Sequence, residues 1–321
     1  MRRASCSFSL DLVLPSLVIL SLCCLPSRTF SQEIASTATL ANGAAPVDPA
    51  SEYRQAYSLL FENHVERPNA DYASAMIRLR AAVSQHFAPA QFLLGYLYER
   101  GHGLPQDYTH AAELYRAAAQ QLYSPAENNL GTLYHLGHGV PQDTTLAFES
   151  YRASALHGNP IGEYNLASFY FLGTGTERDL SKALQWFRAS AEQGVAAAQA
   201  NLALFYFEGR GTPVNYSEAA HWSKLAAEQG LAHAASNYAY LCEQGFGIHQ
   251  DYVAAYLWYS RASAAGDKFA SSRLKSVAHH LSRSQRDQAN SVLAADAQHP
   301  KRPTADSSTS ANADVSMIDT P

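Results

Sequence analysis

The sequence predicts an all-α protein, an α/α solenoid (superhelix) of about five 36-residue helix-turn-helix repeats closed by degenerate capping units. Three observations carry this reading: a glycine doublet that returns at a fixed interval, small and large apolar residues at helical spacing on either side of it, and a helix-capping residue shortly after it. The doublet is Gly101-His102-Gly103, repeated as Gly137-His138-Gly139, Gly173-Thr174-Gly175, Gly209-Arg210-Gly211 and Gly245-Phe246-Gly247, each 36 residues after the last. A constant period of this length marks stacked supersecondary units that cover one another's apolar faces, in place of a single globular core.

In chain order, residues 1–31 read as a signal peptide, with Arg2 and Arg3, then the apolar run Leu12 to Leu25, then small or polar residues near Ser31. The run is short for a bilayer span and contains Pro15, so the expectation is a removed export signal and a periplasmic or extracellular location, with no membrane span after its removal. Three of the four cysteines, Cys6, Cys23 and Cys24, lie in this leader, which leaves Cys242 and rules out a disulfide framework. Net charge is −5, and without the arginine-bearing leader the chain is more acidic still. An acidic chain with no basic cluster is a poor partner for nucleic acid or an anionic membrane. Residues 32–50 are read as a flexible spacer, 51–296 as the solenoid and 297–321 as a disordered tail rich in polar residues.

The first unit of the solenoid keeps the spacing in part: Asp71, Ala75, Leu79 and Ala82 are in register, while Val65 and Arg67 stand where later units have glycine. End units of a stack are expected to be atypical because they cover an otherwise open face. Full repeats span 88–123, 124–159, 160–195, 196–231 and 232–267. Their first helices share a small residue (Ala90, Ala126, Gly162, Ala198, Ala234), a large one (Leu94, Leu130, Leu166, Leu202, Tyr238) and a further apolar one (Leu97, Leu133, Phe169, Phe205, Leu241). These offsets lay one apolar stripe along each helix. Glycine suits the turn because a sharp helix end needs positive φ. Asp107, Asp143, Asp179, Asn215 and Asp251 then cap the second helices, and Ser124 with Glu127 has the spacing of a capping box at a first helix. Second helices repeat Ala111, Ala147, Ala183, Ala219 and Ala255, and Trp186, Trp222 and Trp258, three positions on, are expected in the core. Two capping helices separated near Leu281-Ser282 close the array.

Leu130-Gly131-Thr132-Leu133-Tyr134 followed by Gly137-His138-Gly139-Val140-Pro141-Gln142-Asp143 resembles the Sel-one-like repeat, a relative of the tetratricopeptide repeat. The resemblance is close over 88–267 and looser over 52–296. It implies a right-handed superhelix of antiparallel helix pairs, and a role as a protein-interaction scaffold. Some cysteine-rich relatives are implied to bind or hydrolyse β-lactams, but their paired cysteines are missing here.

Positions fixed from unit to unit hold a stack together, whereas those that vary are free for recognition. The variable face of the first helices supplies Phe92, Tyr96, Asn128, His135, Tyr164, Phe171, Phe207 and Tyr240 as candidate partner-binding residues. Stacked repeats curve, so this face is expected to line a concave groove for a protein or peptide. Asn129, Asn165, Asn201 and Asn237 recur beside it, and recurrence points to a structural hydrogen bond within each repeat. No catalytic residue, metal or cofactor is expected. The glycine turns follow helices and lack a third glycine, the histidines have no ligand spacing, and Ser272-x-x-Lys275 has none of the companion motifs of a β-lactam-directed serine.

Overall fold

The computed structural model describes residues 48–62 and 65–298. Fourteen helices follow one another: α1 (Pro49–Leu60), α2 (Tyr72–Ser84), α3 (Ala88–Arg100), α4 (Tyr108–Ala119), α5 (Ser124–Leu136), α6 (Thr144–Leu156), α7 (Pro160–Leu172), α8 (Leu180–Glu192), α9 (Ala196–Glu208), α10 (Tyr216–Glu228), α11 (Ala232–Gln244), α12 (Tyr252–Ala264), α13 (Lys268–Ala278) and α14 (Arg283–Gln298). From α1 to α13 each helix packs on its neighbours in sequence, so α3–α12 make five hairpins and α1–α2 cap one end; at the other end both α13 and α14 pack on α12. The expected leader, and nearly all of the expected spacer and tail, lie outside the described residues. Two boundaries move: Asp48 caps α1 through the amides of Ala50 and Ser51, making the last two spacer residues helical, and α14 runs two residues into the expected tail. In the first unit the missing glycines are replaced by a two-residue hairpin, β1 (Phe61–Glu62) against β2 (Val65–Glu66).

Within a repeat, local chemistry ends one helix and starts the next. The first glycine of each doublet sits at positive φ as the C-cap of the first helix, as Gly137 does at φ 71°. The glutamine before the capping aspartate folds back onto that helix end: Gln106, Gln142 and Gln250 donate Nε2 to the carbonyls of Glu99, His135 and Glu243, each at 2.8 Å. Carbonyls in the last turn have no partner inside the helix, so this bond replaces one that water would otherwise make. All five expected aspartate or asparagine caps accept from backbone amides of the second helix. The second glycine serves the neighbouring repeat. A Cβ on Gly175 would lie 2.1 Å from the carbonyl oxygen of Thr144, and one on Gly139 2.3 Å from the carbonyl carbon of Tyr108, so each turn rests directly on the start of the preceding second helix.

Two expectations fail. Ser124 is the first helical residue and Tyr123 the cap, without a side-chain bond, while Glu127 is drawn away to His157 Nδ1 at 2.7 Å. The tryptophans are half-buried, on the flank of the stripe: Trp222 Nε1 donates to Glu218 and Arg261 lies over Trp258. The core is filled by the next position, where Tyr115, Tyr151, Phe187 and Tyr259 are buried. One residue turns a helix by about 100°, which separates the centre of the stripe from its edge.

A further pairing closes four repeats from within. The fourth residue of the first helix meets a residue at the end of the second as Gln91–Gln121, Glu127–His157, Glu163–Gln193 and Gln199–Gln229, at 2.7 to 2.8 Å throughout.

Candidate inner-wall recognition surface

First helices approach one another directly, as α5 and α7 do, whereas the second helices of the five repeats lie further apart. The first helices therefore form the inner wall of the curve. Along that wall the eight candidate residues divide by burial. Phe92, Asn128 and Tyr164 are 5%, 1% and 7% exposed, packed inside the stack, with the Phe92 ring against Tyr115 and Tyr123 and the Tyr164 ring against Phe187. Phe92 and Tyr164 pack the two helices of their own repeats together, and all three offer a partner almost no surface. Tyr96, His135, Phe171, Phe207 and Tyr240 are half-buried and keep part of each ring at the wall.

The wall carries polar chains at both ends, Glu99 with Tyr115 at one and Glu243 with Tyr259 and Arg273 at the other, and a run of rings between them. Towards the N-terminus, Tyr115 Oη donates to Glu99 Oε2 at 2.7 Å, and Asn129 Nδ2 donates to Tyr115 Oη at 3.2 Å. Asn128 Nδ2 then donates to Asn129 Oδ1 at 3.2 Å, and Asn165 Nδ2 to Asn128 Oδ1 at 2.8 Å. The asparagine bonds thus cross between repeats, correcting the expectation of a bond inside each one; the partner positions vary, so the pattern does not repeat identically. Burial raises the Glu99 carboxyl from its ordinary value, against the lowering effect of the Tyr115 bond, and pushes the Tyr115 phenol well up. Burial also lowers the His135 imidazole, whose Nδ1 has no hydrogen-bond partner among the described residues.

From α7 onward the same helix faces carry rings. Phe171 lies under the guanidinium groups of Arg178 and Arg210, at 5.6 and 5.2 Å from its centroid. Phe207 contacts Tyr216 at 5.4 Å and Tyr240 at 6.4 Å, and Tyr240 continues to Phe246 and Phe269 at 6.1 and 6.4 Å. Tyr216, Phe246 and Phe269 were missed in the sequence reading because they sit outside the first helices, at a helix start, a turn and a capping helix. His102 and His138, the equivalents of Phe246 in earlier turns, pack on Tyr72 and Tyr108. Among the described residues no group of acidic, histidine or cysteine side chains has the arrangement of a metal site.

Five consecutive stretches, 88–121, 124–159, 160–195, 196–231 and 232–267, match the Sel1 repeat and together cover more than half of the chain. The chain belongs to the Sel1 repeat family. Two solved Sel1 repeat structures are similar to it. The first is the crystal structure of c5321, a protective antigen present in uropathogenic Escherichia coli strains displaying an SLR fold: 28% identity and a TM-score of 0.66 over 77% of this chain and 51% of that one. This chain therefore spans about half the length of that antigen. The second is a Sel1 repeat protein from Oxalobacter formigenes, 28% identical with a TM-score of 0.60 over 68% of this chain and 86% of that one. No curated protein matches the sequence. In this Sel1 array the asparagine bonds lie on the first three repeats and the ring contacts of Phe171, Phe207 and Tyr240 on the last three. No helix among the described residues is long and apolar enough to cross a membrane.

Proposed function

We propose that this Sel1 repeat protein is an exported, non-catalytic scaffold that holds a protein or peptide partner on the inner wall of its first helices. The observation that carries the reading is the row of half-buried rings, Phe171, Phe207 and Tyr240, on helices whose Leu166, Phe169, Leu202, Phe205 and Leu241 are buried in the stack. Half-buried aromatic side chains give large contact area at little entropic cost and are frequent anchors at interfaces. Family membership supports a binding role, and the leader supports export to the periplasm or beyond. The residues raised by the β-lactam alternative do not favour catalysis: Ser272 Oγ donates to the Phe269 carbonyl at 2.7 Å on an exposed turn of α13. A nucleophile needs a base at that oxygen.

The test is recovery of partners from an envelope extract on immobilised protein. Phe171→Ala/Tyr240→Ala should lose most of the partner recovered by wild type, whereas Leu146→Ala/Leu156→Ala, exposed on the second helix α6, should lose none. Equal recovery by both pairs would remove the inner wall from the account.

A further inference from the structure

We propose that the run of rings on the wall binds an extended peptide whose apolar side chains alternate and which carries a carboxylate at the end nearest Phe171. This deepens the scaffold reading and rests on it. Spacing supplies the first argument. The Phe207, Tyr240 and Phe269 rings succeed one another at 6.4 Å. In an extended chain, residues of one face recur every second position, about 6.6 Å apart, so alternate side chains fall in step with successive rings. A peptide laid along them buries one apolar group against each ring and leaves the intervening side chains to solvent.

Charge supplies the second argument. Arg178 and Arg210 converge on the one Phe171 ring, and a single carboxylate, that of Glu208, pairs with Arg210. Arg178 is exposed and uses Nε on the Phe171 carbonyl at 3.0 Å; among the described residues no carboxylate pairs with its terminal nitrogens. Arg178 thus brings a guanidinium that has no paired carboxylate among the described residues to the end of the ring row. Arginine laid over a ring keeps its planar fork available for a carboxylate, whose two oxygens match it. A neutral or basic group at that end of a peptide has no such partner.

The experiment is fluorescence anisotropy of the full chain with labelled synthetic 11-residue peptides. Four designs are compared: alternating leucine and serine ending in two glutamates, the same ending in two glutamines, the same ending in two lysines, and leucines at every third or fourth position ending in two glutamates. Each is made with the charged end at either terminus. The glutamate-ended alternating peptide, in one of its two directions, should bind at least tenfold more tightly than the other three designs. Arg178→Gln/Arg210→Gln should erase the preference for glutamate over glutamine while keeping residual binding, and raised salt should act in the same direction. Phe207→Leu/Tyr240→Leu, chosen to preserve the fold and checked by melting temperature, should reduce binding of every peptide. Absence of saturable binding, equal affinity for glutamate and lysine ends, or preference for helical spacing would overturn the proposal. If partner recovery still depends on Phe171 and Tyr240 while no peptide binds, the scaffold reading stands and this one falls.

Discussion

Glu163 shows how much a single substitution in one repeat changes. It occupies the position held by Gln91 and Gln199 in other repeats and accepts from Gln193 Nε2 at 2.8 Å. Burial raises its carboxyl to about 7, with Glu192 adding to the shift and the Gln193 bond opposing it. A raised folded pKa means that the contribution to stability is complete below the unfolded value and declines as pH climbs from about 4.5 to about 7. Glu163→Gln reproduces the glutamine pair of the other repeats without the charge. The variant should gain on the order of 1 kcal/mol at pH 8, and nothing at pH 4. Denaturant melts at the two pH values check this; a wild-type gain on passing from pH 4 to 8 that the variant lacks would contradict it. Leu122 is a second such case. It stands where Gly158, Gly194, Gly230 and Gly266 close the other repeats, and it holds φ at 62° with its side chain 64% exposed. Leu122→Gly should stabilise by about 1 kcal/mol, because the left-handed strain removed exceeds the entropy added to the unfolded chain; a lowered melting temperature would show that the leucine packs. Aspartate caps were legible from sequence because capping is chemistry within three residues. The partners of Glu127 and Asn165 were not, because they lie 30 and 37 residues away.

Between elements, the second glycine of each doublet decides whether one repeat can sit on the last. Its flexibility in the turn was readable from the sequence; its contact with Tyr108 or Thr144 of the preceding repeat was not, since no local pattern names a neighbour's backbone. Gly175 and Gly194 separate the two demands. Both have positive φ, but a Cβ at 175 meets the Thr144 carbonyl oxygen at 2.1 Å and one at 194 meets nothing within 4 Å. Gly194→Ala should therefore cost about 1 kcal/mol for conformation alone, and Gly175→Ala about 3 kcal/mol or more because backbone must move. Equal losses in thermal unfolding would show that the turn, and not the stacking, is what the glycine serves. The stripe of each second helix was likewise readable as a stripe but not as a direction. Trp186 and Phe187 are both aromatic, and periodicity alone does not say which of two adjacent residues points to the centre.

For the whole molecule, the period of 36 was sufficient to foresee the array, because identical units that each expose one apolar face have few ways to hide it. The proposed recognition surface was only half visible. Variation between repeats marked Phe171, Phe207 and Tyr240, whose rings are half-buried, and it also marked Phe92, Asn128 and Tyr164, which are buried in the stack. Variability thus reports freedom from the repeat pattern, and burial is needed to divide that freedom into packing and recognition. The claim that the inner wall receives the partner is tested most directly by a photoreactive phenylalanine analogue placed in the full chain at position 207 on the wall or at position 146 on the outer helix α6, irradiated in an envelope extract. The account predicts a discrete crosslinked species from position 207 that is lost in the Phe171→Ala/Tyr240→Ala background, and none from position 146. Crosslinks from 146 alone, or equal yields from both, would contradict it.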